Sequence, residues 1–196
     1  KGSVEVDTNG DLISANLPTF TLSEGDKVSI KADRAADGLL RVVMRGEVLD
    51  GRGFVKASLG GPNRDGKNHH VADIDLDVRL GAVIGFNGEA IRGVELKMLR
   101  RAGAIRNLSL NGKLGVDSSI LSDLRGGRQG GKQVVYIETK DAGALFRFTD
   151  TYPKMMGGEM WVAMDPPTLD QAPQEGVLNV RDFTIRGEAA LDRVVS

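Results

Sequence analysis

The chain has 196 residues and a mass of 21.0 kDa, with 26 basic and 27 acidic side chains, a net charge of −1 and no cysteine. The missing cysteines exclude a disulfide framework and thiolate metal sites, and the interspersed charges leave no basic stripe of the kind nucleic acid requires. Glycine is abundant at 26 residues while aromatics are 5%, a composition of many short strands joined by tight turns.

Residues 2–8 alternate Val4 and Val6 against Glu5 and Asp7, the period of a half-buried strand. Asn9-Gly10 tolerates positive φ at both positions and predicts a hairpin turn. The return strand is expected over 12–20, broken by Pro18, and Glu24-Gly25-Asp26 turns into a strand over 27–33. After a turn at Asp37-Gly38, Leu40, Val42 and Met44 alternate with Arg41 and Arg45. Residues 50–59 lose that period and read as a short helix presenting Phe54, Val55 and Leu59. The breaker-rich stretch 60–70 is expected to be a loop, and any subdivision of the single domain predicted over 1–196 falls there.

Three strands follow with one apolar and one wet face. Ile74, Leu76, Val78 and Leu80 oppose Asp73, Asp75, Asp77 and Arg79; Val94, Leu96 and Met98 oppose Glu95 and Lys97; Leu108, Leu110 and Leu114 oppose Asn107, Ser109, Asn111 and Lys113. Such a run marks an antiparallel meander. Residues 116–124 are expected to pair as a short strand or to cover an edge, 125–132 to turn, and 133–139 to form a strand leading into residues 140–164. There Asp141 can cap a helix carrying Ala142, Leu145, Phe146 and Thr149 on one stripe, stopped near Tyr152 by Pro153. Met155-Met156-Gly157-Gly158 is predicted as a turn before a strand over 159–164. The last strand, 177–186, shifts parity between Val180 and Phe183, which predicts a bulge near Asp182 or cover on both faces. A closing short helix is expected over 188–196.

These elements predict a mainly β fold: a curved antiparallel sheet, groove- or half-barrel-like, with two or three short covering helices. No run of about 18 apolar residues is present in the sequence. The opening at Lys1 without Met is what a piece cut from a larger protein would show.

Several residues resemble a known family. Asp141, Ala142, Gly143 and Leu145 after a strand, then Tyr152, Gly157 and Gly158, are similar to the AsmA-like C-terminal region of Gram-negative envelope proteins related to AsmA, YhdP and TamB. The tail 176–185 followed by Leu191 resembles that family's closing strand and helix, and the strand rhythm of 71–114 fits it. The resemblance covers roughly the last two thirds of the chain and is one of architecture, without a catalytic motif. It implies a periplasmic domain, inner-membrane anchored in the full-length protein, that binds or conducts lipid acyl chains and supports phospholipid transport. On that basis Ile74, Leu76, Val78, Val94, Leu96, Met98, Leu108, Leu110, Leu145 and Phe146 are the candidate lining of an apolar groove, each also an ordinary core position.

Other chemistry finds little support. His69-His70 lack a third ligand at a defined offset and read as solvated loop residues, so no metal or cofactor is expected. Asp73, Asp75 and Asp77 lack the glycine and distal Glu of a Ca²⁺ loop and read as a solvated strand face. The glycine-rich stretch 81–88 has no Lys-Ser/Thr and opens no helix, which excludes a phosphate-binding P-loop. Ser118 and Ser119 have no nucleophile context. Glu138 and Glu159 can approach each other on adjacent strands, but glycoside chemistry needs a cleft around such a pair. The expectation is a non-enzyme. The alternative is a carbohydrate- or protein-binding β-sandwich without lipid, for which an exposed row of Trp161, Tyr136 and Tyr152 would be the signature.

Overall fold

The computed structural model describes residues 2–59, 73–126, 133–167 and 174–187. Eleven strands form one open sheet whose spatial order is the chain order. They are β1 (Ser3–Val6), β2 (Leu12–Phe20), β3 (Lys27–Arg34), β4 (Leu40–Asp50), β5 (Ile74–Ile84), β6 (Ala90–Arg101), β7 (Ala104–Leu114), β8 (Ser118–Arg125), β9 (Val134–Thr139), β10 (Met155–Met164) and β11 (Gly176–Ile185). Among the described residues there are two helices, α1 (Arg52–Leu59) and α2 (Ala142–Phe148). The expected mainly β, open sheet with short helices is what forms.

One pairing departs from the predicted meander. β4 and β5 run parallel, with Met44 opposite Val78 and Leu49 opposite Val83. The stretch joining them carries α1, as a parallel pair demands, because its chain must travel back before re-entering the sheet. Every other neighbouring pair is antiparallel. The hairpin between β5 and β6 turns on Asn87 (φ 52) and Gly88 (φ 74), the positive-φ pair of a type I′ turn.

The apolar face keeps its parity along most strands and changes it along a line through the middle of the sheet. Leu80 and Val83 are three residues apart on β5 yet share one core, as do Ile91 and Val94 on β6. A strict period of two forbids that. The adjustment sits at glycines. Gly93 has φ 57, and three steps from Arg92 to Glu95 on β6 match two on β7, from Lys113 to Asn111. A Cβ on Gly81 would lie 2.6 Å from the Glu47 carbonyl oxygen. Bulged strands bend and twist more strongly, so this line curves the sheet around its apolar side. One core cluster accordingly runs from Val28 on β3 to Ile120 on β8, closed by Ala144 and Phe148 of α2, with Ile137 of β9 and Val55 of α1 against it.

Several expectations change. Pro18 does not break β2; it falls where the β2–β3 register shifts between Leu17 and Phe20. Of the two readings of residues 116–124, the paired strand holds: 118–125 form β8, between β7 and β9. Met155–Gly158 is not a turn but the start of β10, with positive φ at Gly157 and Gly158 and, across from them on β11, at Asp182 (φ 56); the two strands keep step from Gly157 opposite Phe183 to Glu159 opposite Arg181, without an inserted residue. α2 stops at Phe148, before Pro153: Thr149 caps it, donating its N–H to the Leu145 carbonyl, and Asp150 turns away at φ 57. The predicted closing helix, the 60–70 loop and His69-His70 lie outside the described residues.

Candidate functional site

The two faces of the sheet offer two different surfaces. On the apolar face, strand register assembles the predicted residues into rungs. Ile30, Met44, Val78, Leu96 and Leu110 stand opposite one another on successive strands, and Ala32, Val42, Leu76, Met98 and Leu108 form the next rung. Ile74 continues β5 beyond them, opposite Arg100. Along β5 and β6 burial falls from one end to the other, while Ala32 in the second rung stays buried at 2% exposed. Leu80, Val94 and Val78 are 4%, 6% and 7% exposed, whereas Ile74, Leu76, Leu96, Met98, Leu108 and Leu110 are half-buried.

α2 explains that gradient, because it sits across the buried end. Its N-cap, Asp141, accepts a hydrogen bond from the Ala144 N–H at 2.9 Å, which fixes the start of the helix. Gly143 then lies so close to β10 that a Cβ there would be 2.5 Å from the Met155 carbonyl oxygen. From the far end Arg147 donates to Glu89 at 2.8 Å and to the Met155 carbonyl at 2.8 Å. The Phe86 N–H donates to the Phe148 carbonyl at 3.0 Å. The Asn87 side-chain amide donates to the Arg147 carbonyl and to Asp150. The helix therefore bridges the β5–β6 hairpin and β10. Ala144 and Phe148 seal the core beneath it, while Leu145 and Phe146 are half-buried, Phe146 toward Met155, Met160 and Tyr152. Phe148 was not among the predicted lining residues, although it is four residues beyond Ala144 and three beyond Leu145, the spacing of a shared helix face.

The opposite, wet face carries a cleft of about 610 Å³ over β8–β11. Period two again places its residues. Leu121, Glu138, Trp161 and Asn179 form one rung, and Glu159 stands opposite Arg181 in the next. Trp161 and Tyr136 stack with ring centroids 6.1 Å apart and planes 15° apart. The Arg125 guanidinium lies 3.4 Å from the Tyr136 ring centroid on β9, held by Asp123 at 2.8 Å and by Glu138 at 3.7 Å. Arg181 donates through Nε to Glu159 at 3.0 Å, and that partner holds the Glu159 carboxyl below its ordinary range. Glu138 and Glu159 thus do line one cleft. Of the three aromatics named from the sequence, two meet there; Tyr152 packs on the apolar side with Phe146 and Met155.

The acidic face of β5 is only partly solvated: Asp75 is exposed, whereas Asp73 and Asp77 are half-buried. Asp77 pairs with Arg45 at 3.0 Å, a hydrogen bond that lowers its pKa, and Asp73 accepts from the Ala102 N–H at 2.8 Å. A smaller cleft of about 290 Å³ spans this region between Arg41 and Asn107. Among the described residues no group of three or more His, Asp or Glu is placed to hold a metal ion, and no helix is long and apolar enough to cross a membrane. No family model matches the chain, and no curated protein or solved structure does.

Proposed function

We propose that this chain is a non-enzymatic cell-envelope domain that holds or conducts lipid acyl chains along the apolar face of its sheet, in support of phospholipid transport and outer-membrane biogenesis. The full-length protein is placed by this reading in the periplasm, anchored in the inner membrane by a region outside this chain. The observation that carries the reading is the burial gradient along the aliphatic rungs. They are buried at Leu80 and Val94, in the cluster that Ala144 and Phe148 of α2 join, yet half-buried at Leu76, Met98 and Leu108.

The surface suits an alkyl chain. Val42, Leu76, Met98 and Leu108 present aliphatic and thioether groups at neighbouring positions, and methionine adapts its shape to irregular apolar partners. Burying a dozen methylenes contributes about 10 kcal/mol at roughly 0.8 kcal/mol each. Association costs at least about 4 kcal/mol of that, which leaves affinity on the order of tens of micromolar or weaker. Exchangeable binding of this strength fits conduction better than storage.

The test is to purify the chain from a Gram-negative envelope, analyse it by native mass spectrometry, and titrate it with a fluorescent fatty acid. Co-purifying phospholipid and saturable uptake, weakened at least tenfold by Leu76→Glu or Met98→Glu in folded variants, are expected. Lipid-free protein that takes up no probe would overturn the reading.

A further inference from the structure

We propose that the cleft on the wet face of β8–β11 is a glycan-binding site, in which Trp161 is the stacking plate for a sugar ring and Glu138, Asn179 and the Glu159–Arg181 pair take its hydroxyls. This site lies on the side of the sheet opposite the apolar rungs, so it stands or falls independently of acyl-chain binding.

The first argument is the plate. Trp161 sits in the middle of an outward-facing rung, 36% exposed, where a solvated strand face needs no aromatic. Its orientation is fixed from behind by a three-strand stack: Asp123 holds Arg125, Arg125 covers Tyr136, and Tyr136 stacks on Trp161. Rigid aromatics bind at low entropic cost because little freedom is left to lose.

The second argument is the frame around it. Glu138 on β9 and Asn179 on β11 flank Trp161 in the same rung, so an acceptor and a mixed donor–acceptor amide stand on either side of the ring. The adjoining rung supplies the carboxylate and guanidinium of Glu159 and Arg181. Vicinal hydroxyls both donate and accept, and planar side chains of this kind meet them two at a time. A sugar ring supplies the matching shape, with apolar C–H edges on one face and hydroxyls at its rim.

The charge pattern argues against other occupants. A phosphate group would meet Asp117, Glu138 and Glu159 as well as Lys140 and Arg181, so the cleft has no cationic excess to attract it. A peptide strand adds to a sheet edge, whereas Glu138 and Trp161 lie on strands paired on both sides. Hydrolysis of the glycan is not part of the proposal: the Arg181 guanidinium keeps Glu159 ionised, which suits it to accept hydrogen bonds rather than to donate a proton.

Trp161 is the single tryptophan of the chain, so its emission reports the site directly. The intact chain is titrated with chitotriose, maltotriose and cellotriose, following tryptophan fluorescence and amide NMR signals. At least one sugar is expected to shift Trp161 emission saturably in the millimolar range and to move signals confined to β8–β11. Calorimetry should then show binding weakened about tenfold or more by Glu138→Gln, which removes one charged acceptor, and also by Trp161→Phe. Thermal melts establish that each variant folds. The proposal is overturned if none of the three sugars perturbs Trp161 or the β8–β11 signals, or if folded Glu138→Gln and Trp161→Phe bind as the parent does.

Discussion

Breaking the ion pair between Arg147 and Glu89 should loosen α2 from the sheet, because this pair ties the helix to the β5–β6 hairpin. The groups are 2.8 Å apart and their side chains are only 19% and 16% exposed. At an effective dielectric of about 20, opposite charges at that separation attract by roughly 6 kcal/mol. Desolvating two ions offsets several kcal/mol of this. A coupling of about 2 kcal/mol should remain, carried by two guanidinium nitrogens engaging one carboxylate. Glu89→Gln is expected to cost about 2 kcal/mol, since Arg147 keeps its charge but loses its counter-ion. Arg147→Met should cost somewhat more, because the hydrogen bond to the Met155 carbonyl goes too. The assay is urea denaturation of the parent, both single variants and the double variant, followed by circular dichroism. A double-mutant coupling below about 0.5 kcal/mol, the range of exposed surface pairs, would refute the latch.

Two further outcomes follow from the same geometry. Asp26 is 7% exposed; burial pushes its pKa up, but hydrogen bonds from the Asp50, Ser23 and Leu22 N–H groups outweigh this and leave it lowered. Asp26→Ala should therefore cost about 3 kcal/mol near neutral pH. A lowered folded-state pKa means the contribution is fully present above the unfolded value of about 4 and is lost as pH falls through the folded one, so urea midpoints of parent and variant should converge on acidification. Gly143→Ala puts a methyl 2.5 Å from the Met155 carbonyl oxygen and 2.9 Å from its carbon. Helix propensity alone favours alanine by about 1 kcal/mol, yet the melting temperature should fall; a rise would show that β10 yields.

The strands were legible because their chemistry is local. Alternation in 74–80, 94–98 and 108–114 identified which residues face the core, and register then set those same residues opposite one another. The irregularity near Asp182 was legible from the parity of Val180 and Phe183, but not its form: the strands keep step, two residues for two, past the positive-φ residues Gly158 and Asp182. What misled were signals with two meanings. Gly157-Gly158 reads as a turn, yet here positive φ is accommodated inside a strand, β10, beside Asp182 of β11. Pro153 marks the latest point at which α2 can end, not where it does end; Thr149 and Asp150 stop it first. The hairpin signal Asn87-Gly88 was present in the sequence but obscured within a glycine-rich run.

Strand content, the amphipathic faces and the start of α2 at Asp141 were settled by the sequence alone, because each depends on neighbours within a few residues. The parallel join of β4 to β5, the seating of Phe148 across the core, and the meeting of Tyr136, Glu138, Trp161 and Glu159 in one cleft were decided only by the tertiary structure. These depend on which strands become neighbours and in what register. A one-residue slip would send every side chain to the other face, so local pattern names the faces but not the partners across them.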